Sequence, residues 1–160
     1  MKRIIQFLLL GTFFLPVVAV VTPVARANQC TALKAAGSYG FTLTGVLITA
    51  GGPVPIAAVG RASVDINGHV TGTEARSVGG GFANETLSGT VTVNPDCTGS
   101  LTLNFFEAGQ LVRTSVLSTV FVNNQQELQM VQSSLTLPNG ANVPAVITVN
   151  AKKIFTDQED

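Results

Sequence analysis

Apolar and polar residues alternate along most of the chain with a period of two, which is typical of β-strands that bury one face. Gly, Pro, Asn and Asp residues separate the alternating runs. Most of these connections are too short to join anything except antiparallel neighbours. The pattern predicts eight strands, at 37–45, 56–66, 69–78, 84–94, 99–106, 110–122, 125–137 and 143–154.

Eight antiparallel strands joined in chain order can close into an up-and-down barrel, which leaves no exposed sheet edge. We therefore predict an all-β, eight-stranded antiparallel barrel, whose interior holds a packed core or one small ligand. A two-sheet β-sandwich is the alternative, but its crossings need several long connections. The chain has one long connection, 46–55, which is unusually apolar and is a candidate lid, plug or partner contact.

The turn Asn67–Gly68 fixes the register of one hairpin, because both residues accept the positive φ angle of a two-residue type I′ turn. That register places Arg61 opposite Glu74, with Arg76 on the same face. These three residues form either a solvated outer face or a polar cluster that orients a ligand inside the barrel. The sequence leaves both alternatives open. Two further charged residues fall within predicted strands, Glu85 and Arg113.

The segment SGTVTVNPDCTGSLTL is predicted to form a second hairpin. Matching apolar with apolar residues places Val93 opposite Leu101, with Cys97 in an odd-length tip and Gly99 in the left-handed position of a bulge. In an up-and-down barrel this tip lies at the same end as the start of the first strand. Cys30 is therefore within reach of Cys97, and we predict a disulfide between them.

The first 27 residues have the pattern of an export signal. Lys2 and Arg3 precede an apolar run, and Ala25–Ala27 supplies small residues before a cleavage site. A transmembrane helix is the alternative, but Pro16 interrupts the run. We expect a cleaved signal at 1–27, one barrel domain at 28–155 and a frayed acidic tail at 156–160. The protein would be bacterial, periplasmic or extracellular, with no membrane span after cleavage.

Charge and histidine content exclude several classes of function. Cleavage after Ala27 would leave six Lys and Arg against nine Asp and Glu, a formal charge of −3. This balance provides no basic surface for nucleic acid. His69 is the only histidine, so the chain has too few ligands for a zinc site and no set of catalytic residues independent of it. We predict no catalytic residue, metal or cofactor.

A set of aromatic and aliphatic residues has the strand parity of the barrel interior, where it forms either a filled core or the wall of a cavity. Tyr39 is the only tyrosine, and its hydroxyl needs a hydrogen-bond partner if it is buried. The candidate ligand-binding residues are Tyr39, Phe41, Val91, Val93, Leu101, Leu103, Phe105 and Phe121.

Three segments resemble a group of small exported bacterial proteins that look like calycin-type barrels, near lipocalins and the allene-oxide-cyclase-like barrel. They are YGFTLTG at 39–45, VGRASVDING at 59–68 with VTG at 70–72, and SGTVTVNPDCTG at 88–99. The resemblance implies a barrel. Its relation to the plant cyclase would imply a substrate derived from a fatty acid and a trimer, but no position here matches the active-site residues of that enzyme.

Two functions of different class follow from this reading. An exported barrel that binds a small lipophilic molecule would need an internal cavity on the order of a few hundred Å³. A structural or interaction module of the cell envelope would use residues 46–55 against a partner, and an oligomer fits either function. A cyclase- or isomerase-type enzyme is a more distant hypothesis, because it requires Glu74, Arg76 or Glu85 to point inward.

Overall fold

The fold is a closed β-barrel, seen in a computed structural model that describes residues 29–154; the predicted signal and tail lie outside these residues. The strands pair antiparallel in chain order, and the last pairs with the first. The predicted barrel is confirmed, and the sandwich is excluded. The elements are α1 (Ala32–Ala35), β1 (Gly37–Thr49), β2 (Gly52–Val64), β3 (His69–Val78), β4 (Gly81–Val93), β5 (Thr98–Glu107), β6 (Gln110–Val122), β7 (Glu127–Thr136) and β8 (Ala145–Lys153).

Alternation along the strands places one set of side chains inside the barrel. On β5, Leu101, Leu103 and Phe105 are buried, and on β8 the same holds for Ile147 and Val149. Their neighbours in sequence, mostly Thr, Ser and Asn, point outward. No helix within residues 29–154 has the length and apolar character needed to cross a membrane.

The short helix α1 covers one end of the barrel, which we call the closed end. Thr31 caps the helix by accepting a hydrogen bond from the Lys34 N–H at 3.2 Å. The Gln125 amide bonds both backbone groups of Thr31, accepting from its N–H at 3.0 Å and donating to its carbonyl at 2.8 Å. The Cys30–Cys97 disulfide joins this segment to the β4–β5 turn, as predicted.

The turn between β2 and β3 is wider than the predicted two-residue turn. It contains three residues, 66–68, and only Gly68 has a positive φ, at 83°. The Asp65 carboxylate accepts hydrogen bonds from the backbone N–H groups of Asn67 and His69, each at 2.8 Å. A side chain that binds its own turn in this way stabilises the wider loop. The prediction of a type I′ turn is therefore wrong.

This extra turn residue changes which face of β2 carries the charge. Gly60, not Arg61, lies opposite Glu74, and Arg61 lies opposite Thr73. A one-residue shift in register reverses the face of every side chain on the strand. Arg61 is consequently exposed on the outside of the barrel, whereas Glu74 is buried and Arg76 is half-buried. The predicted Arg61–Glu74 pair does not form.

The β4–β5 hairpin has the predicted buried face but a register shifted by two residues. Leu101 lies opposite Val91, and the three-residue tip begins at Pro95. Proline has no N–H for the ladder, so it fits the tip better than the strand. Cys97, not Gly99, takes the left-handed position, with φ of 68°. A shift of two keeps the side-chain parity, which is why the inward residues were assigned correctly.

The segment 46–55 is not a long loop. β1 continues to its end at Thr49, and a tight turn at 50–51 leads directly into β2. Pro53 and Pro55 are tolerated because they lie beyond the last pair between β2 and β3, where no N–H donor is required of them; the carbonyl of Pro55 accepts a hydrogen bond from the Gly79 N–H at 2.9 Å. The long loop predicted for this segment is therefore wrong, since the segment is an extended hairpin.

Candidate functional site

An apolar cavity of about 70 Å³ lies inside the barrel. Seven of the eight candidate ligand-binding residues border it, and Val93 packs against the core without bordering it. Six of the eight are buried, while Phe41 and Val93 are half-buried. The cavity is smaller than the few hundred Å³ expected, because side chains from all eight strands fill most of the interior.

Tyr39 closes the cavity on the side of α1. Its hydroxyl donates a hydrogen bond of 2.6 Å to the carbonyl of Ala35. The buried hydroxyl therefore has the hydrogen-bond partner that the sequence analysis required. Burial raises the pKa of Tyr39 to about 12. The Lys153 ammonium lies 5.7 Å from the centre of the tyrosine ring. Tyr39 is thus held in place by the closed end, and its hydroxyl faces the helix.

The opposite part of the interior contains buried charged side chains, with Arg113 at their centre. Arg113 donates hydrogen bonds to Glu74, at 2.5 Å, and to Glu85. Its guanidinium also stacks on the Phe105 ring, 3.8 Å from the ring centroid. All three charged residues are less than a tenth exposed. A charge that is buried this deeply is stable only when it is paired.

Arg76 extends these contacts toward the end of the barrel opposite α1. It bonds the second oxygen of Glu85, with its nearest nitrogen at 2.6 Å, and reaches the half-buried Glu107 at 2.8 Å. Glu85 therefore accepts hydrogen bonds from two guanidinium groups. We call this set the charged cluster; it comprises Glu74, Arg76, Glu85, Glu107 and Arg113.

The charged cluster contains three carboxyl groups and two guanidinium groups, so one carboxyl is paired less well than the others. Burial alone would raise the pKa of Glu85, but hydrogen bonds from Arg76 and Arg113 outweigh it and lower the pKa to about 2. Glu74 has Arg113 as its only guanidinium partner. There burial, together with the neighbouring Glu85 carboxylate, outweighs Arg113 and raises the pKa of Glu74 to about 7.

Two buried side-chain atoms of residues that border the cavity have no hydrogen-bond partner among the described residues. They are Oε2 of Glu74, which is 3% exposed, and Nε2 of Gln132. Buried polar atoms in folded proteins are nearly always paired. An acceptor and a donor without partners therefore border the same apolar cavity.

Two β-bulges lie beside polar residues that border the cavity. Between β5 and β6 the extra residue is Val112, directly before Arg113. Between β6 and β7 the extra residue is Ser133, directly after Gln132. Bulges change the direction of neighbouring side chains and are frequent next to functional sites. Arg113 keeps the inward parity of Leu117, and Gln132 keeps that of Met130, while the ladder becomes irregular directly beside each of them.

The structure brings together part of the polar cluster considered from the sequence. Glu74 and Arg76 meet in the charged cluster, and Arg61 does not join them. Glu107, at the end of β5 beside a bulge, was missed, and so was Gln132, although it has the parity of the buried Met130 on the same strand. Arg113 could have been recognised as inward-facing, since it has the parity of Leu117 and Phe121 on the same strand.

The fold and its interior define a closed eight-stranded barrel with an apolar cavity and a polar border. No protein family matches the sequence, and no curated protein matches it. The barrel is similar to EF1p2_mFAP2b bound to DFHBI, at 12% identity over 78% of this chain and 97% of that chain, with a TM-score of 0.54. It is also similar to a redesigned beta barrel, at 12% identity over 78% of this chain and 96% of that chain, with a TM-score of 0.49. The first likeness shows the barrel fold, without distinguishing the calycin group from other barrels.

Proposed function

We propose that the barrel binds a small, mainly apolar molecule in its interior. The observation that carries the proposal is the interior cavity, bordered by apolar side chains and by residues with two buried polar atoms without partners among the described residues. Apolar pockets with a few convergent polar groups are typical of small-molecule sites. EF1p2_mFAP2b, whose structure contains DFHBI, provides an example of a barrel of similar fold with a small-molecule ligand.

The size of the cavity limits the class of ligand. Its volume of about 70 Å³ is well below the roughly 300–1,000 Å³ of sites that hold drug-sized molecules. The ligand is therefore a molecule of a few heavy atoms, or the end of a short chain. A fatty-acid-derived molecule of full length would require several core side chains to move.

A homologous series of primary alcohols, from 1-propanol to 1-octanol, tests the proposal. Affinity measured by NMR titration should rise about fourfold for each added methylene group until the cavity is full, and then stop rising. Ala62→Leu adds bulk at the cavity wall and should abolish binding. Ala57→Leu, an identical change on the outer face of the same strand, should not. Affinity that is independent of chain length, or equal loss in both variants, would contradict an interior site.

Export is part of the same proposal, as is membership of the calycin group. The Cys30–Cys97 disulfide supports an oxidising compartment, because disulfides persist there and are rare in the cytosol. The charged n-region and the small residues at Ala25–Ala27 support cleavage of the N-terminal segment. N-terminal sequencing of the protein expressed in a bacterial host should find Asn28 as the first residue.

The position of Glu74 supports a second candidate function, a proton-transfer enzyme of the isomerase type. A carboxyl group in an apolar cavity with a pKa of about 7 is suited to general acid or base catalysis near neutral pH. Solvent exchange of the α-hydrogens of cyclopentanone in D₂O provides the test. Faster exchange with the wild-type protein, abolished by Glu74→Gln, would favour the enzyme. If the wild-type protein does not accelerate the exchange, the enzyme hypothesis fails and only the binding function stands.

A further inference from the structure

The two arginines near the cavity are already neutralised by the protein itself. Arg113 binds Glu74 and Glu85, and Arg76 binds Glu85 and Glu107. No guanidinium of the charged cluster therefore lacks a carboxylate partner. A carboxylate ligand would lose its hydration without gaining a free cation, and it would lie close to three acidic groups. The interior consequently disfavours anions.

The atoms without partners identify a different polar group. Oε2 of Glu74 is an acceptor when this carboxyl is ionised, and Nε2 of Gln132 is a donor. A hydroxyl group has one donor hydrogen and two acceptor lone pairs, so it matches both kinds of atom. An ether or a ketone offers acceptors only, and a hydrocarbon offers neither.

We propose that the ligand of the barrel is a small neutral alcohol, whose hydroxyl donates a hydrogen bond to Oε2 of Glu74. This proposal rests on the binding function proposed above and specifies its ligand class. Glu74 is 97% buried and borders the cavity, and the hydrogen bond from Arg113 holds its other oxygen in place. Glu74 is thus fixed in position with one acceptor atom that the fold leaves without a partner.

Three small molecules of similar size test the proposal on the wild-type protein. They are 1-butanol, its isomer diethyl ether, and butyrate. Titrations followed by the methyl NMR signals of Leu117 and Ile147, at pH 9 where Glu74 is ionised, should give 1-butanol about tenfold higher affinity than diethyl ether. This factor is the one that a net hydrogen bond to a charged group provides. Butyrate should show no saturable shifts.

Glu74→Gln tests whether Glu74 contacts the ligand, because a purely structural role of Glu74 would not change the preference between alcohol and ether. The hydrogen bond from Arg113 keeps an oxygen at the position of Oε1, so the amide nitrogen replaces the free acceptor with a donor. Diethyl ether should then bind at least as tightly as 1-butanol. Glu127→Gln is the matched control, because Glu127 pairs with Lys152 near α1 and does not border the cavity. It should preserve the wild-type preference for the alcohol.

The possible outcomes separate this proposal from the binding function. If none of the three molecules, and no longer alcohol, produces saturable shifts, the binding function fails and the ligand class fails with it. If the wild-type protein binds diethyl ether or butyrate as tightly as 1-butanol, the binding function stands and the alcohol assignment is overturned. The wild-type comparison remains decisive even if Glu74→Gln does not fold.

Discussion

At the scale of single residues, Glu74 and Glu85 face each other across β3 and β4, yet their pKa values move in opposite directions. Both side chains are buried, and both receive a hydrogen bond from Arg113. Arg76 binds Glu85 and not Glu74, and the neighbouring Glu85 carboxylate in turn raises the pKa of Glu74. For Glu85, two guanidinium groups and the contact with Glu74 together outweigh the penalty of burial and stabilise the charged form.

These opposite shifts predict a maximum of stability near pH 4.5. The raised pKa of Glu74 means that the folded protein holds a proton which the unfolded chain releases, so the free energy of unfolding falls as pH rises from 4.5 to about 7. The lowered pKa of Glu85 makes it fall as pH decreases from 4.5 to about 2. Urea unfolding at a series of pH values should show both declines, each on the order of 1–3 kcal/mol.

Glu74→Gln isolates the first of these effects, because glutamine does not ionise. The decline between pH 4.5 and 7 should disappear in this variant, while the decline below pH 4.5 remains. Glu127→Gln, near the other end of the barrel, should retain both declines. An unchanged profile in Glu74→Gln would show that Glu74 is not the titrating group.

At the scale of elements, the turns decide how much of the site can be read from the sequence. The alternation of β4 and β5 assigned the buried face correctly, because the error in their register was two residues. For β2 the error was one residue, and it assigned Arg61 to the same face as Glu74 and Arg76. The cause is the Asp65 side chain, which binds the turn and makes it one residue longer. Turn preferences of Asn and Gly alone do not include that bond.

Bulges also limit how much of the site can be predicted from the sequence. The extra residues Val112 and Ser133 change the parity of β6 and β7 beside Arg113 and Gln132. Their positions depend on the partner strand, so the residue pattern of one strand cannot reveal them. The fold class, the apolar wall and the inward parity of Arg113 and Gln132 were predictable from alternation, whereas the bulges beside them were not.

The contact between Phe41 and Gly60 gives a prediction about neighbouring strands. The two residues are paired across β1 and β2, and a Cβ atom at Gly60 would lie 2.3 Å from the Phe41 ring and 2.5 Å from the Thr73 carbonyl. Gly60→Ala should therefore lower the free energy of unfolding by roughly 1–3 kcal/mol, as overpacking does. Chemical denaturation of the purified variant measures this change.

Gly40→Ala is the matched control for this contact. Gly40 lies one residue before Phe41, and a Cβ atom there would have its nearest neighbour at 3.6 Å, from Ile154. The free energy of unfolding should stay within about 0.5 kcal/mol of the wild-type value. Similar losses in both variants would mean that the Phe41 ring does not depend on the space above Gly60.

At the scale of the whole molecule, the two ends of the barrel are built from different interactions. The charged cluster lies toward the end opposite α1, while the closed end combines the disulfide, the Gln125 amide and the buried hydroxyl of Tyr39. Ligand entry through the closed end would have to displace α1. Entry from the opposite end would pass the charged cluster, which is consistent with a ligand that needs no cation.

The disulfide should contribute a large part of the global stability. It joins Cys30 to Cys97 across 67 residues, and closing a loop of this length in the unfolded chain is worth roughly 4 kcal/mol in the chain-entropy model. A double variant, Cys30→Ser with Cys97→Ser, should have a free energy of unfolding in urea that is lower by about that amount. It should still form the barrel, because neither cysteine lies in one of the eight paired strands. Its far-ultraviolet circular dichroism should match that of the wild-type protein.

The amide protons of α1 in the double variant should exchange with solvent faster, since the helix is then held mainly by Gln125 and Tyr39. Equal stability of the two proteins would show that packing of α1 alone closes the barrel.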